Sequence, residues 1–135
     1  MRRSAYLLPL VLVFVLACQK QQTTTAQPQQ TQPSSFKMSL TTDPVPPVEE
    51  QDTTFKLTLT DSSGQPVPGA RVTAALKMRT MDMGKNEVTF ADKGSGNYEG
   101  KGKFTMAGPW DVVVSANQAG SADQQTFSIV AHRKS

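Results

Sequence analysis

Apolar and polar residues alternate one by one in seven runs of the chain beyond residue 35. In one run Phe55, Leu57 and Leu59 alternate with lysine and threonine, and the same period recurs elsewhere. The runs cover residues 36–41, 55–60, 71–79, 88–90, 98–106, 110–114 and 127–131. A period of two residues is typical of β-strands that bury one face and leave the other in water. The pattern therefore predicts a strand for each run.

Turn-forming residues separate several of these runs. Groups rich in Gly, Pro, Asp and Ser occupy residues 61–64, 66–69, 92–96 and 119–121, and such groups favour chain reversals. Short strands with a turn signal roughly every 8–12 residues are typical of β-sandwiches. We therefore expect an all-β fold, an immunoglobulin-like β-sandwich of about seven strands, with no helix of normal length.

The alternation also separates candidate core residues from exposed ones, because a shift of one residue would turn each apolar face to water. Trp110 has inward parity and is predicted to be the centre of the core. Gly100 and Gly102 are expected to leave room for a large neighbour such as Trp110.

Residues 1–17 have the layout of a secretory signal peptide. Arg2 and Arg3 precede an apolar stretch over residues 6–16, which is shorter than the roughly 20 residues of a membrane-spanning helix. The following segment, Val15-Leu16-Ala17-Cys18, resembles a bacterial lipobox. That resemblance implies that Cys18 is lipidated and becomes the mature N-terminus. Cys18 is the only cysteine, so a lipid on it excludes disulfide and thiol chemistry from the mature chain.

Residues 18–35 are predicted to be the lipidated cysteine and a disordered tether. The segment from Gln19 to Ser35 consists almost entirely of Gln, Thr, Pro and Ser, and it has too little apolar surface to offset the entropy of ordering. A flexible chain of this length would hold a domain on the order of 20 Å from the membrane. Residues 36–135 then form one β-sandwich domain. We expect an extracytoplasmic protein of the bacterial cell envelope, anchored to a membrane by lipid.

The charge of the mature chain is close to balanced. Removing residues 1–17 takes away two arginines and no acidic residue, which lowers the formal net charge from +3 to +1. No cluster of Lys and Arg interleaved with aromatic residues remains, and nucleic-acid binding requires such a cluster. Nucleic acid is therefore not an expected partner.

Three methionines fall within six residues in the run Met78-Arg-Thr-Met81-Asp-Met83-Gly84. Thioethers are soft ligands that favour Cu(I) over zinc or calcium, and in an oxidising compartment they avoid the disulfide formation open to paired thiolates. The run therefore indicates a candidate Cu(I) site. It also fits a strand end followed by a turn, and methionine is a common gap-filler in cores.

Strand parity divides the methionines into two groups. Met38, Met78 and Met106 have inward parity, which favours packing. Met81 and Met83 follow the strand beside a glycine, where packing constrains them less, and they share one face if the chain there is extended. Met106, at the end of another strand before a Gly-Pro turn, is the candidate for a third sulfur. The candidate metal ligands are therefore Met81, Met83 and Met106, with Met78 as a further one.

The sequence contains no catalytic constellation. His132, the only histidine, has outward parity near the C-terminus, where it is expected to be solvated rather than to act as a ligand or a base. Glu49 and Glu50 lie in a Pro-rich segment and are expected to form a solvated charged face. The glycine pairs within residues 94–96 and 100–102 lack the strand-to-helix setting of a phosphate-binding loop. We therefore expect no enzymatic activity.

Four motifs follow one another in order: Asp61-Ser-Ser-Gly-Gln-Pro-Val-Pro-Gly-Ala70, the methionine run, Gly96-Asn-Tyr98, and Phe104-Thr-Met-Ala-Gly-Pro-Trp-Asp-Val-Val-Val114. Together they resemble the YtkA-like and FixH-like group of small bacterial envelope domains, over roughly residues 36 to 132. The resemblance implies a β-sandwich, an extracytoplasmic location and, for some relatives, an association with copper handling or cytochrome oxidase assembly.

Two functions remain open at this point. One is a tethered module that binds Cu(I) through the methionine cluster, for copper buffering or delivery. The other is an envelope interaction domain whose exposed methionines and sheet edge contact a partner protein, with no metal. The first requires several sulfurs to converge on one point, whereas the second requires only an exposed patch.

Overall fold

The computed structural model describes residues 35–135, which form seven antiparallel β-strands. They are β1 (Phe36–Asp43), β2 (Asp52–Asp61), β3 (Arg71–Met78), β4 (Glu87–Gly94), β5 (Asn97–Lys103), β6 (Gly108–Gln118) and β7 (Ser121–Ala131). The predictions for residues 1–34, which include the signal peptide, Cys18 and nearly all of the tether, lie outside the described residues. Within the described part of the chain, no helix is long and apolar enough to cross a membrane.

The strands are hydrogen-bonded in the order β1-β2-β5-β4-β3-β6-β7. The sheet divides into two halves, β1-β2-β5-β4 and β3-β6-β7, because β3 and β4 pair through only a short stretch at residues 73–75. The outer edges approach each other as well: the Phe36 N–H donates to Asp123 Oδ2 at 3.1 Å, and Val48 forms a parallel bridge with His132. This strand order is that of constant-type immunoglobulin domains, and it confirms the predicted all-β sandwich.

Strand β2 shows how the alternation produces the core. Phe55, Leu57 and Leu59 have at most 1% of their surface exposed, while Lys56 and Thr58 between them are exposed. Each strand of this kind gives the sandwich one apolar face, and burial of a large apolar side chain stabilises the fold by about 1.5–3 kcal/mol.

Aromatic side chains connect the two halves of the sheet. Trp110 on β6 is fully buried, as predicted, and packs edge-on against Phe104 with ring centroids 5.5 Å apart. Phe104 in turn lies 5.6 Å from Phe55 on β2. Beyond the area that they bury, such aromatic pairs contribute about 0.5–1.5 kcal/mol each. Trp110 is therefore a central anchor of the core.

The glycines of β5 make room for neighbours other than the predicted Trp110. A Cβ added to Gly102 would lie 2.5 Å from Val88 Cγ2 and 3.1 Å from Phe55 Cε2, and one added to Gly100 would lie 2.6 Å from Val88 Cγ1. These contacts come from the strands on either side of β5, since β2 and β4 both pair with it. The nearest large side chains are therefore Phe55 and Phe90 rather than Trp110, and close approach explains the glycines as expected.

Candidate metal site

Strands β1, β3, β5 and β7 all finish at one end of the sandwich. The loops there are residues 44–51, 79–86 and 104–107, and the C-terminal residues 132–135 follow β7. We call these four segments the methionine end. Met81, Met83 and Met106 lie in its loops, and Met78 is the last residue of β3.

Two of these loops run side by side. Loop 79–86 passes from β3 to β4 and loop 104–107 from β5 to β6, while β3 pairs with β6 and β4 pairs with β5. Each loop therefore crosses from one pair of adjacent strands to another: β3 and β6 form one pair, and β4 and β5 form the other. Hydrogen bonds join loop 79–86 to the two strands that flank loop 104–107: the Arg79 N–H donates to the Pro109 carbonyl of β6 at 3.1 Å, and Asn86 Nδ2 donates to the Lys103 carbonyl of β5 at 3.3 Å. The fold thus brings the methionine run alongside the segment that carries Met106.

The four candidate ligands differ in exposure. Met81 has 49% of its surface exposed and Met106 has 38%. Met83 is half-buried and packs against the core, so it is more constrained than its position after the strand indicated. Met78 is also half-buried, and its Cε lies 2.9 Å from the position that a Cβ on Gly108 would take. Met78 is therefore a packing residue, as its parity predicted.

The inward parity assigned to Met106 was wrong, whereas that of Met38 is confirmed by its 8% exposure. Strand β5 ends at Lys103, and Phe104 is buried directly after it. Residues 105–107 form a bend, in which alternation no longer decides which side chains face inward. The Met106 side chain consequently points to the surface at the end of the sandwich.

Three hydrogen bonds, one to β6 and two to loop 44–51, hold loop 104–107. The Trp110 indole N–H donates to the Met106 carbonyl at 3.1 Å, and the Glu50 N–H donates to the Phe104 carbonyl at 2.8 Å. Glu49 Oε2 accepts from the Ala107 N–H at 2.8 Å. Glu49 is half-buried rather than part of a solvated face, so the sequence-based interpretation was wrong for this residue. Its partner lies 58 positions along the chain, and no local pattern signals such a contact.

An ion pair holds the start of loop 79–86. Arg79 Nε and Nη2 donate to Asp111 Oδ1 at 2.8 and 2.6 Å, and Arg79 Nη2 also donates to Ser128 Oγ. The hydrogen bond from Arg79 holds the pKa of the Asp111 carboxyl below its ordinary value, and the same bond raises the pKa of Arg79. This link attaches the first residue of loop 79–86 to β6 and β7.

Farther along, loop 79–86 closes on itself. Asp82 Oδ1 accepts from the Gly84 N–H at 2.9 Å, and Gly84 has a φ of 73°, a conformation that glycine adopts readily. Residues 77–84 curve around an open concavity of about 520 Å³. Met81 and Met83 therefore lie on either side of Asp82, in a turn that the Asp82–Gly84 hydrogen bond closes.

His132 lies at the methionine end and is exposed, as expected from its parity. Its backbone N–H donates to the Pro47 carbonyl at 2.8 Å, and its carbonyl accepts from the Glu49 N–H at 2.8 Å. Within residues 35–135, no three His, Cys, Asp or Glu side chains group closely enough to hold a metal ion. The predicted site relies on thioethers, which are a different class of donor.

A family model described as YtkA-like matches residues 30–115. The chain belongs to the YtkA-like family. The matched region of this YtkA-like protein runs from β1 into β6 and contains all four candidate methionines. No match was found among curated proteins. Among solved structures, this chain is similar to MtrC from Shewanella baltica OS185, at 15% identity and a TM-score of 0.49. The aligned region covers 72% of this chain and 22% of the MtrC chain.

Proposed function

We propose that this YtkA-like protein is a lipid-anchored, extracytoplasmic domain that binds Cu(I) through thioethers at the methionine end. The observation that carries the proposal is that loop 79–86 is hydrogen-bonded, through Arg79 to Pro109 and through Asn86 to Lys103, to the two strands that loop 104–107 connects. This arrangement supports a site that draws sulfurs from two separate parts of the chain.

The donor set fits a soft monovalent metal. Thioethers carry no charge and bind Cu(I) in preference to zinc or calcium. Met81 and Met106 have exposed side chains on neighbouring loops, and Met83 lies on the same turn as Met81. Met78 serves first in packing, against Gly108. We assign Met81, Met83 and Met106 as the ligands.

The point where the chain enters the domain supports a role in exchanging metal with other molecules. Strand β1 begins at Phe36, at the end of the sandwich opposite to the methionine end. A tether that enters at Phe36 from a lipid on Cys18 would leave the methionine end on the far side of the domain from its attachment. Metal held there would be accessible to other molecules of the envelope, which suits copper buffering or delivery.

Titration of the purified mature domain with Cu(I) under reducing conditions tests the proposal. We expect saturable binding of Cu(I), and under the same conditions we expect no comparable binding of Zn(II), because thioethers are poor ligands for zinc. A domain that binds no Cu(I), or binds both ions alike, would contradict the thioether site.

A second candidate function is contact with a partner protein and no metal. The exposed large hydrophobic residues within residues 35–135 are Val45, Met81, Met106 and Val130. Three of them belong to the methionine end, and Val130 pairs with Pro109 directly beside it. Clustered exposed apolar side chains are typical of interaction sites. A contact surface of this kind would keep its affinity for the partner protein when methionine is replaced by leucine, whereas a thioether site would lose its affinity for Cu(I).

A further inference from the structure

The peptide unit between Met106 and Ala107 is held on both of its polar sides. Its carbonyl oxygen accepts from Trp110 Nε1 at 3.1 Å, and its N–H donates to Glu49 Oε2 at 2.8 Å. Trp110 is fully buried and Glu49 is half-buried, so both partners are themselves constrained. A methionine side chain rotates about several bonds, but the position of its backbone decides which region the sulfur can reach.

Glu49 joins three segments of the methionine end. Besides Ala107, its carboxylate accepts from the Lys134 N–H at 3.4 Å through Oε1, and its own N–H donates to the His132 carbonyl at 2.8 Å. Glu49 therefore links loop 44–51, loop 104–107 and the C-terminal residues. A carboxylate that accepts backbone N–H groups in this way makes charge-assisted hydrogen bonds, which are stronger than neutral ones.

We propose that Glu49 is a positioning residue for the Met106 thioether. By fixing the Ala107 N–H, it holds the Met106 backbone alongside loop 79–86, so that the sulfur of Met106 stays within reach of the Met81 and Met83 turn. The inference rests on the proposed Cu(I) function and adds a residue that touches no metal. Partners that orient a ligand without binding the metal typically change metal affinity 10–100-fold when they are removed.

The neighbouring Glu50 provides a matched control. Glu50 contributes its backbone N–H to the Phe104 carbonyl, while its side chain is exposed and, within residues 35–135, accepts no hydrogen bond. Glu50→Ala removes the same charge from the same segment and leaves the Ala107 contact intact. A general loss of negative charge near the metal would affect both variants, whereas loss of positioning would affect Glu49→Ala alone.

The test compares Cu(I) affinities in the full mature protein, measured by competition with a chromophoric Cu(I) chelator. We expect Glu49→Ala to weaken binding about tenfold, Glu50→Ala to leave it unchanged, and Glu49→Gln to recover most of the loss because the amide oxygen can accept from the Ala107 N–H. In the metal-free protein, Glu49→Ala should also accelerate hydrogen exchange at the Ala107 amide.

A coupling measurement separates positioning of Met106 from general stabilisation. In a Met106→Leu background, Glu49→Ala should cause no further loss of Cu(I) affinity, because the sulfur that it positions is gone. Equal losses in the two backgrounds, an effect of Glu50→Ala as large as that of Glu49→Ala, or wild-type affinity in Glu49→Ala would each overturn the inference. Failure of the wild type to bind Cu(I) would instead overturn the proposed function, and the inference with it.

Discussion

The indole N–H of Trp110 donates a hydrogen bond to the backbone carbonyl of Met106 at 3.1 Å. Trp110 has no exposed surface, whereas 38% of the Met106 surface is exposed. The side chain at the centre of the core therefore also fixes the backbone of a residue on the surface. Because Trp110 packs on Phe104, which begins the same loop, the core and the candidate site share one set of contacts.

Substitution of Trp110 should separate its two roles. Trp110→Ala should lower the free energy of unfolding by about 3–5 kcal/mol, because it leaves a cavity beside Phe104. Trp110→Phe keeps an aromatic ring but leaves the Met106 carbonyl without its donor, so it should cost less than Trp110→Ala. Chemical denaturation measures both losses. If Trp110→Ala costs no more than a surface substitution, Trp110 is not the anchor of the core.

Gly102 should not tolerate a side chain. An alanine Cβ there would lie 2.5 Å from Val88 Cγ2 and 3.1 Å from the Phe55 ring, and we expect Gly102→Ala to destabilise the fold by about 1–3 kcal/mol. The cause can be tested by adding Val88→Ala, which removes the closest clashing atom. The double variant should lose less stability than the sum of the two single variants. Additive losses in thermal or denaturant unfolding would show that the clash is not the cause.

The Arg79–Asp111 pair predicts a change of stability in acid. The pKa of Asp111 is lowered in the folded protein, mainly by the hydrogen bond from Arg79. The Asp111 carboxylate therefore contributes fully to the free energy of unfolding above the pKa of an aspartate in the unfolded chain, which is about 4. That contribution is lost as the pH falls through the lower pKa of Asp111 in the folded protein. Asp111→Asn should make unfolding less dependent on pH in that range. An unchanged pH profile of denaturant midpoints would contradict the assignment.

The lipid anchor predicted at Cys18 can be tested by fractionation. The wild-type protein should be found with the membranes and be released by detergent. Cys18→Ser should appear in the soluble fraction or accumulate as an unprocessed precursor, because the acceptor of the lipid is missing. A wild-type mature protein that begins at another residue and remains soluble without detergent would rule out the anchor.

The sequence predicts the fold better than it predicts the site, and the reason is the range of the interactions involved. Alternation identifies Phe55, Leu57 and Leu59 as buried, because the burial of a strand residue can be deduced from the pattern of apolar and polar residues next to it in the sequence. Met106 was assigned inward because the alternation was extended past Lys103, where the strand ends. Parity has no meaning in the bend that follows.

The contacts that shape the site join distant parts of the chain. Glu49 bonds to Ala107 and Arg79 bonds to Asp111, over separations of 58 and 32 residues. A Pro-rich approach with two acidic residues is typical of a solvated segment, so composition gave no sign that Glu49 would be half-buried. The adjacency of loops 79–86 and 104–107 follows from the strand order, which alternation alone does not determine.

The contribution of each sulfur can be resolved by single substitutions to leucine. Met106→Leu should weaken Cu(I) binding, because it removes the sulfur supplied by the second loop. Met78→Leu should leave the affinity within a few fold, because that side chain packs against Gly108. Isothermal or competitive titration of the two variants checks this order. Equal effects of Met78→Leu and Met106→Leu would contradict the assignment of Met78 to packing.

The most direct test of the thioether site is the Cu(I) affinity of the double variant Met81→Leu/Met83→Leu, with Met38→Leu in the core as the matched control. Leucine keeps roughly the volume and hydrophobicity of methionine, so the free energy of unfolding should change by less than about 1.5 kcal/mol in each variant. We predict that Cu(I) affinity collapses in the double variant and is unchanged in Met38→Leu. A double variant that binds Cu(I) as tightly as the wild type would contradict the metal site and favour the partner-contact function.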